Sequence, residues 1–449
     1  MKRRGNPRGL GIPKRYRSAL PAFALACLLA AATATAATAH AEPGDGGCGS
    51  PHWVGSWLMS PSDAVPVSDM ALTPTRSLFD QTYRIVVVPH LGGQTLRIHL
   101  TNRHNPLPVT FGAVTVAAQD QGSTIRPDTL RQVTFGGQGS VTAAPDADLV
   151  SDPIQLDVDA FEPLAISVFV PGLSVMAAEN IVGLSTSYYG PPGSGDHTAD
   201  PAGDALTQTT TSVLFAFGVD VLAPAAYSSV VTVGDSISTG YEGATYYEGP
   251  QDPAVVDRNL RYTDFLQRRL TAAGIPLSVL NSSTWGNRLV LDETIPQTGP
   301  GALARLQRDV IDTAGISDVI LAMGTNDLAF PPTQTPEQLA AAYTDVADRL
   351  HAAGIRLHLA TIPPSVRSFI AGGISPNSDP VRQQVNAWIR SQHVADDVID
   401  FDAVLRDPAD PAADRPDLVS PTLVHPNPRG HQAMADSIDL GVFQGSRCR

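Results

Sequence analysis

The protein has 449 residues, of which 43% are hydrophobic and 16% are charged, and its formal net charge is −14. This length and hydrophobic content suffice for more than one buried core, which excludes both a disulfide-scaffolded miniprotein and a disordered chain. Since 30 basic residues stand against 44 acidic ones, the sequence lacks the basic surface that DNA, RNA or an anionic membrane would bind. Nucleic acid is therefore not expected as a partner.

Residues 1–41 have the three parts of a secretory signal peptide. They contain seven Lys or Arg and no Asp or Glu, then an apolar run from Ala19, and they end in the small-residue cleavage site Ala39-His40-Ala41. An uncleaved membrane anchor is the alternative. The run is rich in Ala and Thr and is followed by a good cleavage site, so we expect a secreted, extracellular protein without a membrane span. Subtracting the seven positive charges leaves −21 for a chain that starts at Glu42 and contains no lysine.

Cleavage would also remove Cys27, which leaves Cys48 and Cys448, one near each end of the chain. Two cysteines in an exported protein favour a single disulfide that ties the termini together. On the chain-entropy model such a bridge would constrain the unfolded chain by at most about 5 to 6 kcal/mol. Two free thiols and an intermolecular bridge are the alternatives.

Residues 42–222 predict a β-rich domain. Apolar and polar residues alternate strictly at 154–159 and at 96–100, and less regularly at 166–170. Successive side chains of a strand point to opposite faces, so this period of two indicates half-buried strands. Many short strands without a convincing helix between them favour a β-sandwich, jelly-roll-like, and residues 223–228 are interpreted as a linker.

From 229 to 449 short apolar strands alternate with amphipathic helices. The predicted strands are 230–233, 277–280, 319–323, 357–362 and 398–401, and the predicted helices are 261–273, 302–313, 336–353, 380–392 with Asp379 as N-cap, and 430–440. This order predicts an α/β domain in which helices cover both faces of a parallel sheet. Active sites in such folds lie at the carboxyl ends of the strands.

Distinctive polar residues follow these predicted strands. The first strand leads into Gly-Asp-Ser-Ile at 234–237, the second into a loop that contains Gly286, and the third into Gly-Thr-Asn-Asp at 324–327. His425 comes just before the last predicted helix. Each short motif alone is weak evidence, but the set in this order, each at an element boundary, is specific.

That set resembles the SGNH (GDSL-type) hydrolases, which are named for their Ser, Gly, Asn and His. The resemblance implies that Ser236 is the nucleophile and His425 the general base. It also implies an oxyanion hole made by the backbone N–H groups of Ser236 and Gly286 and by the side-chain amide of Asn326. The chemistry agrees, because a serine hydroxyl needs an adjacent imidazole to take its proton and a developing oxyanion needs preorganised donors.

The resemblance covers essentially the whole catalytic half and includes the stretches 301–306, 385–390 and 400–403. Residues 53–57 and 150–153 are similar to the β-rich domain that precedes the catalytic domain in one secreted bacterial subgroup. The family resemblance implies a flavodoxin-like three-layer α/β/α sandwich for the catalytic domain.

One position departs from the family pattern. Members usually have Asp three residues before the catalytic His, whereas this chain has Thr422. We expect a Ser–His dyad of reduced basicity in which a backbone carbonyl near 420–422 orients the ring, although the Thr422 hydroxyl is also able to accept the Nδ1–H. The alternatives are that Asp417 folds back to replace the missing carboxylate, or that the enzyme is very feeble.

The remaining polar residues suggest structural roles. Asp235 and Asp327 are expected to accept backbone N–H groups at turns and helix starts. The histidines outside the motif show no metal-ligand spacing, so no metal and no cofactor are expected.

The sequence thus predicts a monomeric, secreted serine esterase for carboxylic esters, with acylated carbohydrates, including polysaccharide, or small acyl esters as substrates. The alternatives are a lipase or acylhydrolase that acts on lipid esters, and a glycan-binding protein with a degenerate hydrolase domain.

Overall fold

The computed structural model describes residues 49–64, 78–174, 176–242, 254–292, 298–368, 373–443 and 445. The predicted signal peptide and all three cysteines lie outside these residues. Within the described ranges, no helix is long and apolar enough to cross a membrane.

The first part of the chain is built almost entirely from short strands. They are β1 His52–Leu58, β2 Leu78–Val87, β3 Gly93–Thr101, β4 Val109–Phe111, β5 Ala113–Ala118, β6 Arg131–Gln132, β7 Val141–Ala143, β8 Asp148–Val150, β9 Ile154–Val158, β10 Leu164–Ser174, β11 Glu179–Asn180, β12 Ser187–Tyr189, β13 Gln208–Thr210, β14 Val213–Leu214 and β15 Ala216–Ala223. One antiparallel sheet has the order β1-β15-β3-β8, with β9 also beside β3, and the other has the order β13-β12-β2-β10-β5-β6.

The two sheets share one apolar core, which confirms the predicted β-sandwich. In β9 the apolar residues at 154, 156 and 158 are buried and the polar residues between them are exposed. Ile98 of the first sheet and Ile166 of the second belong to the same cluster of buried side chains. Alternation along each strand therefore places one apolar face of each sheet against the other.

The second part is an α/β layer structure with a five-stranded parallel sheet. Its strands are β16 Ser228–Gly234, β17 Leu277–Asn281, β18 Ile316–Ala322, β19 Arg356–Ala360 and β20 Asp397–Ile399, in the order β17-β16-β18-β19-β20. Its helices are α1 Ser236–Thr239, α2 Tyr262–Ala272, α3 Ala302–Leu306, α4 Thr325–Ala329, α5 Pro336–Ala352, α6 Asp379–Ser391, α7 Phe401–Leu405 and α8 Pro428–Ser437. A hairpin of β21 Arg406–Asp407 and β22 Asp410–Asp414 follows α7.

Helices cover both faces of this sheet, as the sequence predicts. Val231 packs in a cluster with residues of α3, α5 and α6, whereas its neighbour Val230 packs in a cluster with residues of α2, α7 and α8. The strand order 2-1-3-4-5 is that of flavodoxin-like folds. The predicted α/β fold class is therefore confirmed.

Local details differ from the predictions. The predicted helix 302–313 is α-helical only in α3 and continues as a π-helical turn, Gln307–Ile311. Asp379, the predicted N-cap, is instead the first residue of α6, where its Oδ1 accepts a hydrogen bond of 2.6 Å from Arg382 Nε. Helices α1, α4 and α7 were not predicted, because four or five residues are too few to show a helical period.

The sandwich and the α/β part pack against each other. β15 ends at Ala223 and β16 begins at Ser228, and residues 41–449 cluster into one compact unit. The division into two domains joined by the linker 223–228 therefore stays a prediction.

A buried group of charges links the two parts. Arg103, which follows β3, donates to Asp148 of the sandwich at 2.7 Å and to Asp309 of the α/β part. Arg305 donates to the other oxygen of Asp309 at 3.1 Å. Burial alone would raise the pKa of Asp309, but the two guanidinium groups hold it below its ordinary value. We call Arg103, Asp148, Arg305 and Asp309 the interface ion cluster.

Removal of Arg103 is expected to destabilise the protein strongly. Arg103→Met leaves Asp309 buried with one cation instead of two, and breaking a buried ion pair typically costs about 3 to 5 kcal/mol. Arg367→Met is the control, because the Arg367–Asp410 pair is exposed and such pairs contribute about 1 kcal/mol or less. Urea unfolding midpoints measure both. Equal midpoints for the two variants would contradict a stabilising role of the cluster.

Candidate active site

Three strand ends bring the predicted site residues to one edge of the parallel sheet. Ser236 follows β16, Gly286 lies in the loop after β17, and Asn326 lies in α4 after β18. Because β16 lies between β17 and β18, its carboxyl end is the switch point of the sheet, where ligands bind in folds of this kind.

Ser236 is the first residue of α1. Asp235 caps this helix, since its Oδ1 accepts the N–H of Ile237 at 3.0 Å. The first N–H groups of a helix have no acceptor inside the helix. The N–H of Ile237 is bonded to Asp235. The N–H of Ser236 is the donor that we expect to face a substrate oxygen.

Ser236 and His425 form a hydrogen-bonded pair. The distance from Ser236 Oγ to His425 Nε2 is 2.9 Å, and the two residues are 8% and 4% exposed. His425 lies just before α8, whose N-cap is Asn427. This distance is within the range required for proton transfer from a nucleophilic hydroxyl to a general base.

The other ring nitrogen of His425 faces the residue that replaces the usual Asp. Thr422 Oγ1 lies 3.1 Å from His425 Nδ1. The expectation of a backbone carbonyl as orienting group is therefore wrong, because the side-chain hydroxyl occupies that position. Asp417 does not fold back either, since it pairs at the surface with Arg415 and Arg429.

Burial, and to a lesser extent the nearby His431, lower the pKa of His425 to about 3. A carboxylate beside Nδ1 would favour the imidazolium, whereas a hydroxyl provides an acceptor without charge. His425 is therefore neutral, and able to accept a proton, over nearly the whole pH range in which proteins are stable.

The two other oxyanion-hole candidates lie in segments that contact each other, and Asn326 also contacts Asp235, the residue before Ser236. Asn326 Nδ2 donates to Asn287 O at 2.9 Å and to Asp235 Oδ2 at 3.3 Å. Gly286 has φ of +66°, and a Cβ at this position would lie 2.6 Å from Thr298 Cγ2. The backbone at 286 thus requires glycine, both for its left-handed conformation and for space.

Two buried carboxyl groups support this arrangement. Besides capping α1, Asp235 accepts from Asn326, and Asp327 accepts from the N–H groups of Leu289 and Val290 at 2.8 and 3.1 Å. Burial raises the pKa of both, that of Asp235 to about 7. They hold the loops that carry the site, which is the structural role that the sequence suggests.

Tyr241 makes aromatic contacts at the site that the sequence analysis missed. The Tyr241 ring lies 4.9 Å from that of His425, edge to face, and 6.4 Å from that of Trp285. Ile181 and Leu184 of the sandwich part share one buried apolar cluster with these two aromatic residues. Tyr241 directly follows the glycine that ends α1, but nothing in the sequence links the segment at 181–184 to the site.

Other described histidines contact carboxylates away from the site. His90 pairs with Asp264 and His358 with Asp318. Among the residues that the structure describes, no group of three or more His, Cys, Asp or Glu is placed to hold a metal ion.

Comparison with known proteins points to the same family as the sequence motifs. Residues 232–433 match the model of the family described as "GDSL-like Lipase/Acylhydrolase family". No curated protein matches the chain.

Solved structures with a similar fold have low sequence identity. A GDSL-like lipase from Bacteroides thetaiotaomicron VPI-5482 is 15% identical, with 48% of this chain and 87% of that chain covered and a TM-score of 0.34. A carbohydrate acetylesterase from Sinorhizobium meliloti is 15% identical, with 46% and 94% covered and a TM-score of 0.36. An aryl esterase of M. smegmatis is 14% identical, with 47% and 95% covered and a TM-score of 0.38.

The hydrogen bond between Ser236 and His425 at the carboxyl end of the sheet is the arrangement that nucleophilic catalysis by a serine requires. The match of residues 232–433 to the GDSL-like lipase/acylhydrolase model agrees with the sequence motifs, and the predicted class, an SGNH/GDSL-type carboxylic ester hydrolase, is confirmed. The substrate has to be argued from the side chains around the site.

Replacement of Thr422 by Asp is expected to change the pH dependence of the reaction. A general base must be neutral, so the low pKa of His425 predicts that wild-type activity falls only below about pH 4. A carboxylate beside Nδ1 raises a histidine pKa by about 1 to 3 units, so Thr422→Asp moves the acid limb upward by that amount. The pH profile of kcat/KM measures this shift.

Thr422→Asn is the matched control, because it has the shape of Asp without the charge and should leave the acid limb where the wild type has it. Activity regained on return to pH 7 separates titration of the site from acid unfolding. Identical acid limbs for Thr422→Asp and the wild type would show that the missing charge has no effect on the base.

Proposed function

We propose that the protein is an exported serine esterase that cleaves small acyl groups from carboxylic esters, acylated carbohydrates among them. The observation that carries this proposal is the 2.9 Å contact between Ser236 Oγ and His425 Nε2 at the switch point of the sheet. A hydroxyl and a neutral imidazole at this distance are the two groups that acyl transfer requires.

The proposed reaction has two halves. Ser236 Oγ attacks the ester carbonyl as its proton passes to His425 Nε2, and the alkoxide then leaves as an alcohol with that proton. This forms an acyl-Ser236 ester. In the second half, water loses a proton to His425 Nε2 and attacks the acyl group, and Ser236 regains the proton as the carboxylic acid leaves.

The oxyanion of each tetrahedral intermediate needs hydrogen-bond donors. We assign this role to the N–H groups of Ser236 and Gly286 and to the amide of Asn326. Of the two Asn326 hydrogen bonds, the one to Asp235 is the longer, at 3.3 Å, so its hydrogen is the one expected to turn toward the substrate. Removal of one such donor typically costs about 100- to 1,000-fold in kcat.

Small acyl groups are favoured over lipids by the surroundings of Ser236. Tyr241 is buried beside His425, at 3% exposure, and Trp285 is buried beside Tyr241, at 7% exposure, while Ser236 itself is 8% exposed. The exposed large apolar side chains of the described residues all lie in the sandwich part, not around the site: Phe79, Leu107, Leu173 and Leu222. A lipase needs an apolar surface around its nucleophile to meet a lipid layer.

The alternative of a glycan-binding protein with a degenerate hydrolase domain rests on Thr422 alone. The contact between Thr422 Oγ1 and His425 Nδ1 weakens this alternative, because the ring keeps an acceptor for its Nδ1–H. The acidic composition and the predicted signal peptide fit an extracellular carbohydrate esterase.

Ester hydrolysis is tested with p-nitrophenyl esters of two, four, eight and sixteen carbons. We expect the wild type to prefer the two shortest chains and Ser236→Ala to lose about 1,000-fold or more in kcat. Ser238→Ala is the matched control: it removes a hydroxyl of the same helix that lies 3.2 Å from Tyr262 Oη, and it should stay within about threefold of the wild type. Preference for sixteen carbons would favour the lipase alternative, and inactivity of the wild type on every ester would contradict the proposal.

Export and the terminal disulfide are tested on protein recovered outside the producing cell. We expect an N-terminus at Glu42 and a pairing of Cys48 with Cys448, so that alkylation labels these cysteines only after reduction. Intact mass before and after reduction measures both. Two thiols that react without reduction would exclude the disulfide, and retention of residues 1–41 would exclude cleavage.

A further inference from the structure

The hydroxyl of Ser420 extends the hydrogen-bonded series that begins at the nucleophile. Ser236 Oγ lies 2.9 Å from His425 Nε2, Nδ1 of the same ring lies 3.1 Å from Thr422 Oγ1, and Thr422 Oγ1 lies 2.7 Å from Ser420 Oγ. All four residues are at most 8% exposed. Bulk water therefore has little access to these hydroxyls, and the protein itself must set their hydrogen-bond directions.

The reaction dictates these directions. His425 Nε2 accepts the proton of Ser236, so the neutral ring must carry its hydrogen on Nδ1 and donate it to Thr422 Oγ1. The hydroxyl hydrogen of Thr422 then has to point away from the ring, and Ser420 Oγ, at 2.7 Å, is the acceptor in that direction. If Thr422 donated to Nδ1 instead, the hydrogen of the ring would be on Nε2 and Ser236 would have no base.

We infer that Ser420 is a positioning residue, which accepts the Thr422 hydroxyl hydrogen and so fixes His425 in the tautomer that serves as a base. The inference rests on the proposed esterase function. Ser420 and Thr422 together replace the aspartate of the family pattern: an Asp carboxylate is always an acceptor, whereas a threonine hydroxyl becomes a fixed acceptor only when its own hydrogen has a partner.

The backbone of this loop does not depend on the Ser420 hydroxyl. The N–H of Ser420 donates to His425 O at 2.8 Å, and Leu423, at φ of +57°, donates its N–H to Ser420 O at 3.0 Å. Both bonds persist in Ser420→Ala. The N–H of Thr422 approaches Ser420 Oγ at 3.4 Å, which is too long for a strong hydrogen bond. The substitution therefore removes the acceptor of Thr422 and little else.

The other groups around His425 do not fix the direction of the Thr422 hydroxyl hydrogen. The edge of the Tyr241 ring meets the imidazole, and His431 acts on it through charge. Asp417, the acid nearest in sequence, is bound to arginines at the surface. The orientation of the Thr422 hydroxyl thus depends on Ser420.

A double-mutant cycle tests this dependence. We expect Ser420→Ala to lower kcat/KM about tenfold and Thr422→Val to lower it about 100-fold, because Val keeps the shape of Thr without an acceptor. The double variant should equal Thr422→Val within about twofold, since Ser420 acts only through the Thr422 hydroxyl. Ser420→Thr, which keeps a hydroxyl, should restore activity to within about threefold of the wild type.

Ser368→Ala is the matched control. Its hydroxyl donates to the backbone carbonyl of Thr422 at 2.8 Å, so the variant removes a hydrogen bond from the same residue without touching the side-chain series. We expect a change of less than about threefold in kcat/KM, with the wild-type pH profile. If Ser420→Ala fails to fold by circular dichroism, Ser420→Cys takes its place in the cycle with the same expectation, because a thiol is a weak acceptor.

Labelling of Ser236 by a fluorophosphonate separates failure of this inference from failure of the proposed function. A wild type that neither hydrolyses esters nor reacts at Ser236 contradicts the esterase itself. An active wild type contradicts the role of Ser420 in two cases: if Ser420→Ala retains full activity, or if the losses from Ser420→Ala and Thr422→Val multiply.

Discussion

The hydrogen bond between Ser236 and His425 is the contact on which the rest of the site depends, and it joins side chains 189 residues apart. Ser236 is held by β16 and by the helix cap at Asp235, and His425 is held by a loop that begins after β22. Ser236 is hydrogen-bonded to no base in its own segment, and His425 reaches a serine hydroxyl only through the fold. The complete parallel sheet is therefore needed to create a nucleophile, and any change that separates these two elements removes the chemistry.

The sandwich contributes to the same site through its segment at 180–184. Asn180 Nδ2 donates to Ser283 O in the loop that carries Gly286, at 3.2 Å. Arg261 connects Gly183 O with Thr239 O, which is the last residue of the helix that begins with Ser236. The sandwich thus contacts two of the four segments that carry site residues, and Tyr241, which packs in one apolar cluster with Ile181 and Leu184, lies beside His425. The β-rich part is in this sense a support for the active site.

The sequence predicted the sheet and its order of strands and helices, and local patterns also revealed the polar residues and the glycine that follow its strands. It did not predict the orienting group of His425. Both the Thr422 hydroxyl and a nearby backbone carbonyl are able to accept the Nδ1–H of His425. Only the fold determines which of these two oxygens lies beside Nδ1. The contact of Leu184 with the site was equally hidden, since it depends on how two separately patterned parts of the chain pack. Sequence patterns report what a segment does locally, whereas orientation and packing are set by distant residues.

A hydroxyl in place of the carboxylate suits the electrostatics of this particular site. Asp235 and Asp327 are already buried close together behind the nucleophile, and burial raises the pKa of both. A third buried carboxylate would have to be desolvated as well, at a cost that a neutral Thr422 avoids. The consequence for catalysis has two sides. A less basic His425 takes the proton of Ser236 less readily, but the imidazolium that it forms is a stronger acid and returns the proton more readily to a leaving alkoxide. Without a carboxylate at position 422, the attack of Ser236 is therefore weakened and the expulsion of the alkoxide is favoured. Easier expulsion matters most for esters whose alcohol is a poor leaving group, such as those of carbohydrates.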